Sequence, residues 1–198
     1  MSAQDSAHDT HRQATRRRLL TAIPLAGAGL LGIGFWRMLG HMGDGSFDPR
    51  AIDTPIIGRT VPTFALPGLG SHAGFTASEL SAQGKPILLN FFASWCIPCI
   101  AEAKALQAIA TRIPVWGIAY KDRPDDALGF LARDGNPFAQ VAQDHDGTAA
   151  IDWGVSGVPE TFLILPGGRI AWHYSGGLEP DAYERQIAPQ LHRAGLPT

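Results

Sequence analysis

The sequence predicts an α/β domain, a central mixed sheet flanked by helices, preceded by one N-terminal transmembrane helix. Three stretches carry the α/β reading. "PILLNFFA" (86–93) is a continuous apolar run behind a proline, the pattern of a strand buried on both faces. From Ile97 to about Thr111 apolar positions recur at Cys99, Ala103, Leu106, Ala110 and Ile113, one face of a helix. "TFLIL" and "RIAWHY" flank the turn "PGG" as a hairpin. The remaining elements follow in order. "PTFAL" is a short strand and "TASEL" a short helix. "PVWGIAY" and "AQVAQD" are strands around the helix "RPDDALGFLARDG", which Gly135 closes. "EPDAYERQIAPQLHRA" is a last helix with Pro180 near its start. Strands alternating with helices and ending in a hairpin imply a mixed sheet with helical layers.

The N-terminal reading divides the chain into a cytoplasmic basic segment 1–18, an anchor 19–39, a linker 40–56 and a domain 57–198. Leu19 to Trp36 is an uncharged run of 18 residues. As a helix it spans about 27 Å, just short of a hydrocarbon core of about 30 Å, and the residues to 39 supply the rest. Arg12, Arg16, Arg17 and Arg18 precede it and Arg37 alone closely follows. Positive-inside logic keeps the N-terminus in the cytoplasm and exports the domain. A cleaved signal peptide is the competing reading, since "TRRRLLT" resembles a twin-arginine signal. No clean A-x-A site closes the run, and "GDGSFDPRAIDTP" reads as a tether.

Net charge of −2 conceals an asymmetry. Residues 1–40 carry five basic and two acidic side chains, leaving 11 basic and 16 acidic in the body, a net of −5. An acidic body without a Lys/Arg cluster argues against nucleic-acid binding.

The two cysteines of the chain, Cys96 and Cys99, lie in "FFASWCIPC", where the buried strand hands over to the helix. In an exported compartment one structural disulfide is the default. A bridge between i and i+3 closes too short a loop to restrain the unfolded chain much. Zinc needs four ligands and the sequence has no further cysteine, while His8 and His11 fall across the membrane. Redox chemistry uses the placement. Cys96 at the helix N-terminus meets free N–H groups and the macrodipole, which favour a thiolate. Cys99, one turn in, is placed to attack a mixed disulfide on Cys96. Trp95 reads either as core or as a side chain exposed over a substrate groove. "DHDG" reads as a turn rather than a calcium loop, and Trp116, Trp153 and Trp172 as packing residues.

"FFASWCIPC" resembles the W-C-x-P-C segment of thioredoxin-fold oxidoreductases, and "GVSGVPETFLIL" (154–165) resembles that fold's cis-proline loop. The pattern G-V-x-G-x-P-E-T-F resembles, more narrowly, the cytochrome c maturation family DsbE/CcmG. "YKDRPDDALGFLARDGNPF" and "DHDGTAAIDWGV" share the likeness, which covers about Ile57 to Leu191. The resemblance implies a thioredoxin-like sheet, Cys96 as exposed nucleophile, Cys99 as resolving thiol and Pro159 as the cis-proline. It implies that the backbone at Val158 pairs with an extended substrate as an added strand. Thioredoxins carry a buried carboxylate six residues before the nucleophile, where this chain has Asn90. Glu160 is therefore the expected acid that tunes Cys99, against the reading of a plain strand-edge glutamate.

The same resemblance implies a bacterial inner-membrane protein, single-pass, with its domain in the periplasm. A membrane thiol electron donor would keep the pair reduced. Its targets would be apocytochrome c, whose C-x-x-C-H cysteines must be thiols to bond haem, or cytochrome c maturation proteins. No cofactor or metal is expected beyond the redox-active disulfide. A general exported oxidase or isomerase, and a non-catalytic peptide-binding module, are the alternative readings.

Overall fold

β3 (Ile87–Phe92) is the strand on which the domain is assembled. All six of its residues are buried, five of them apolar and the sixth Asn90. The computed structural model describes residues 27, 29–37 and 56–197. In the domain the main sheet runs β5-β4-β3-β6-β7. β3 pairs in parallel with β4 (Val115–Tyr120) and antiparallel with β6 (Glu160–Leu165). β5 (Gln140–Asp144) continues the parallel side, and β7 (Arg169–Ser175) closes the other edge as a hairpin with β6. The intervening turn has positive φ at Gly167 and Gly168, which only glycine adopts without cost.

Alternation along the strands divides the core in two. Leu88, Phe92, Leu163 and Val141 face α2 (Ile97–Ala110), α3 (Pro124–Asp134) and the C-terminal helical segment. Leu89, Phe91, Ile118 and Phe162 face the opposite way, onto Phe64, Phe75 and Trp153. Trp153 is fully buried and packs edge-on against Phe162, so its packing role holds. This second layer is completed by the small hairpin β1 (Ala65–Leu66) with β2 (Phe75–Thr76), α1 (Ala77–Ser81) and α4 (Thr148–Asp152).

The departures from the sequence expectations are local. "PTFAL" contributes only two strand residues, paired with β2, a strand too short for any periodicity to betray. α4 is one turn long. Asp144 makes it, by accepting from the N–H groups of Ala149 (3.3 Å) and Ala150 (2.8 Å) after a left-handed Gly147. "DHDG" is thus a turn that caps a helix. The last helix is divided: a π-helical turn at Tyr183–Ile187 precedes α5 (Ala188–Arg193).

Residues 27 and 29–37 are helical, with Leu30, Leu31, Ile33, Phe35 and Trp36 exposed. Most of the anchor 19–39, the segment 1–18 and nearly all of the linker 40–56 lie outside the described residues. Among the described residues no helix is long and apolar enough to cross a membrane.

Asp144→Ala leaves two buried N–H groups without an acceptor, which costs on the order of 1–3 kcal/mol. Chemical denaturation of the oxidised protein reads this directly, and an unchanged midpoint would show that α4 holds without its cap.

Candidate active site

The site forms where β3 ends and α2 begins. Cys96 is the N-cap of α2, with extended backbone (φ −92°, ψ 108°), and Pro98 occupies the first turn, where no N–H is needed. The N–H of Cys99 donates to Cys96 Sγ at 3.2 Å, the bond that would hold a thiolate there. The two sulfurs form a disulfide, with Cα atoms 5.3 Å apart.

Both cysteines are buried, Cys96 at 3% and Cys99 at 2% exposure, which corrects the expectation of an exposed Cys96. Exposure belongs to the neighbours: Trp95 at 58%, Ile97 at 78% and Ile100 at 41%. Exposed apolar side chains therefore flank the buried cysteines along the chain, and Trp95 is exposed rather than core. Its indole N–H points to the carbonyl of Lys121 at 3.4 Å. Asp122, buried at the end of β4, accepts from Ser94 N (2.6 Å), Ser94 Oγ (2.8 Å) and Arg123 N (2.9 Å). It secures the segment entering Cys96, although nothing in its sequence pattern singled it out. Its position just past a parallel strand's C-terminal end, where α/β folds gather their sites, was the available signal.

On the other side stands the loop 156–159. The Val158–Pro159 peptide bond is cis, as expected for Pro159, and the Val158 carbonyl oxygen lies 3.4 Å from Cys96 Sγ. A cleft of about 670 Å³ opens beside it, between α2 and the segment after β7, lined by Pro98, Val158, Pro159 and Leu178 among others.

Glu160 does not reach this chemistry. It pairs across the sheet with Phe91, on the face that packs Phe162 and Trp153, whereas Cys99 packs on the face of Phe92. Successive strand residues point to opposite faces, so only its neighbour Thr161 looks toward the helix. The expectation that Glu160 serves as the acid for Cys99 is therefore corrected.

The geometry gives that position to Glu102. Three residues after Cys99 on α2, it shares the face of the resolving cysteine. Both side chains line a cavity of about 10 Å³, room for at most one water. Glu102 is 1% exposed, accepting from Asn90 Nδ2 (3.0 Å) and the Leu178 N–H (2.9 Å). Burial pushes its carboxyl up to about 7, and those two donors only partly oppose the shift. Asn90 and Glu102 together occupy the place of a strand carboxylate: the strand supplies the amide, and the helix supplies the acid. A charge within an apolar helix face was the sequence signal that went unread.

The comparisons with known proteins agree with this geometry. Residues 57–173 match the AhpC/TSA family model. The chain is 39% identical over 167 residues to a thiol:disulfide interchange protein DsbE homolog of Paracoccus denitrificans, covering 84% of this chain and 89% of that protein. It is 40% identical over 143 residues to DsbE of Escherichia coli, covering 72% and 77%. This chain belongs to the DsbE family of thiol:disulfide interchange proteins. Among solved structures, a DsbE of Chlorobium tepidum superposes with a TM-score of 0.58 at 30% identity, over 68% of this chain and 97% of that one. The DsbE fold is thioredoxin-like, and this member is a thiol:disulfide oxidoreductase whose Cys96–Cys99 pair exchanges two electrons.

Glu102 makes two measurable demands. Its proton is held in the folded state up to about pH 7 and lost near 4.5 in the unfolded chain. The oxidised protein should therefore lose stability as pH rises from 4.5 through 7, on the order of 3 kcal/mol in all. Glu102→Gln should flatten that profile, because an amide does not titrate; Asn90 can accommodate it by turning its own amide to offer an oxygen that otherwise has no partner. The same substitution should slow resolution of a mixed disulfide by Cys99. A pH profile as steep as wild type would place the titration elsewhere.

Proposed function

We propose that this protein is a membrane-anchored periplasmic reductant that clears disulfides from the C-x-x-C-H motif of apocytochrome c, or from its maturation partners, before haem attachment. The observation that carries the direction is Glu102. A buried acid beside the resolving cysteine disfavours a thiolate there and accepts its proton as the pair closes. DsbA is a strong oxidant because its reduced form is stabilised, so an acid that acts the other way inclines the pair toward reduction.

In that direction the Cys96 thiolate attacks a substrate disulfide. One substrate sulfur leaves and takes a proton from solvent. Cys99 then gives its proton to Glu102 and attacks Cys96 Sγ. The second substrate sulfur departs as a thiolate, and two electrons have passed from the protein to the substrate. Trp95 and the Val158 backbone receive the substrate, in extended form beside Pro159. A membrane thiol donor returns the pair to the dithiol.

The anchor is supported by the uncharged run 19–36 behind four arginines and by the exposed apolar side chains of helix 29–37. It would hold the domain at the bacterial inner membrane, beside both donor and haem-attachment machinery.

Cys99→Ser should trap the mixed disulfide on Cys96. Expressed in the native cell, it should carry apocytochromes c or their maturation proteins, identified by mass spectrometry. A broad set of exported proteins would instead mark a general oxidase or isomerase, and an empty trap would mark a peptide-binding module. The potential separates the first two: about −270 mV for a thioredoxin-like reductant, about −120 mV for a DsbA-like oxidant.

A further inference from the structure

We infer that Glu160 and His173 form a buried positioning pair that holds the 156–159 loop against Cys96 and so governs exchange with extended protein substrates, without touching the thiols. The inference rests on the family's thiol–disulfide exchange and is independent of which substrate the protein serves.

Val158 packs against both cores, and the turn before it is hydrogen-bonded to one buried side chain. Glu160 Oε1 accepts from Ser156 N (2.7 Å), Ser156 Oγ (2.8 Å) and Gly157 N (3.2 Å), so one carboxylate oxygen organises the turn that leads to Val158. Its other oxygen lies 2.6 Å from His173 Nε2 on β7. Both side chains are enclosed, Glu160 at 1% and His173 at 3% exposure. The imidazole is stacked on Phe162 at 4.4 Å between centroids, and Phe162 packs in turn against the buried Trp153. The aromatic layer thus fixes the histidine, the histidine fixes the carboxylate, and the carboxylate fixes the loop. A second tie, Gly176 N to Pro159 O at 2.8 Å, joins the same loop to the end of β7.

What the loop presents is the Val158 backbone, 3.4 Å from Cys96 Sγ. A peptide that adds as a strand needs that backbone in place, because its own reactive sulfur must arrive in line with Cys96. A small reagent needs only the sulfur. Removing the pair should therefore separate two reactivities that a general loss of structure would lower together.

Glu160→Gln and His173→Phe are the variants. The first keeps the shape and removes the charge; the second keeps the stacking on Phe162 and removes the donor. Near-UV circular dichroism establishes that each is folded, and His173→Phe decides alone if Glu160→Gln is not. Two rates are compared: exchange with an extended disulfide-bonded peptide, and alkylation of Cys96 by iodoacetamide across pH. The expected result is peptide exchange slowed about tenfold or more, carried by KM, since misplacement of this kind costs up to about a hundredfold. The alkylation rate and its pH midpoint should be unchanged. A shifted midpoint would overturn the inference by showing that Glu160 acts on the thiols themselves. Equal loss of both rates would reduce the pair to general structural support, and peptide exchange at the wild-type rate would show that the loop is held without it.

Discussion

The handover from β3 to α2 is the constraint on which the rest depends. Because β3 is hydrogen-bonded on both edges and buried on both faces, its C-terminal end cannot shift without disturbing four other strands. That rigidity places Cys96 at the N-cap of α2, where the N–H of Cys99 already points at its sulfur. The helix then carries Cys99 and, one turn on, Glu102 onto the buried face. The site is rigid because the sheet is, and its two mobile questions, which thiol is charged and which substrate fits, are left to side chains around it.

Three buried carboxylates answer those questions differently, and environment alone distinguishes them. Glu102 has two donors against an apolar surround, so burial wins and its carboxyl titrates near neutrality. Glu160 is buried as deeply, yet donations from His173 and Ser156 outweigh the desolvation and hold its carboxyl below the usual range. Asp122 spends its oxygens on Ser94 and Arg123 at the mouth of the site. One carboxylate is poised to move a proton, and two are used to hold backbone.

Cys96 is buried while its neighbours Trp95, Ile97 and Ile100 are exposed. A partner that covers those apolar side chains gains burial as it approaches the pair.

The main strands, α2, α3 and the hairpin were legible because each carries its own period or its own turn chemistry. β2 and α4 were not, since β2 exists through its pairing with β1 and α4 is a single turn capped by Asp144. In the site, the Cys96–Cys99 pair and the cis bond at Pro159 could be named from two motifs, because such motifs record local backbone geometry. Glu160 stands beside Pro159 in sequence but on the sheet face away from Cys99. Its sequence position beside Pro159 says nothing about which face of the sheet it meets; that is decided by pairing with Phe91, a partner 69 positions away. By itself, then, the sequence determined the redox pair, its helix and its loop. Only the tertiary structure decided which acid serves Cys99, because proximity across a sheet is set by register and alternation, and neither is written in any one segment.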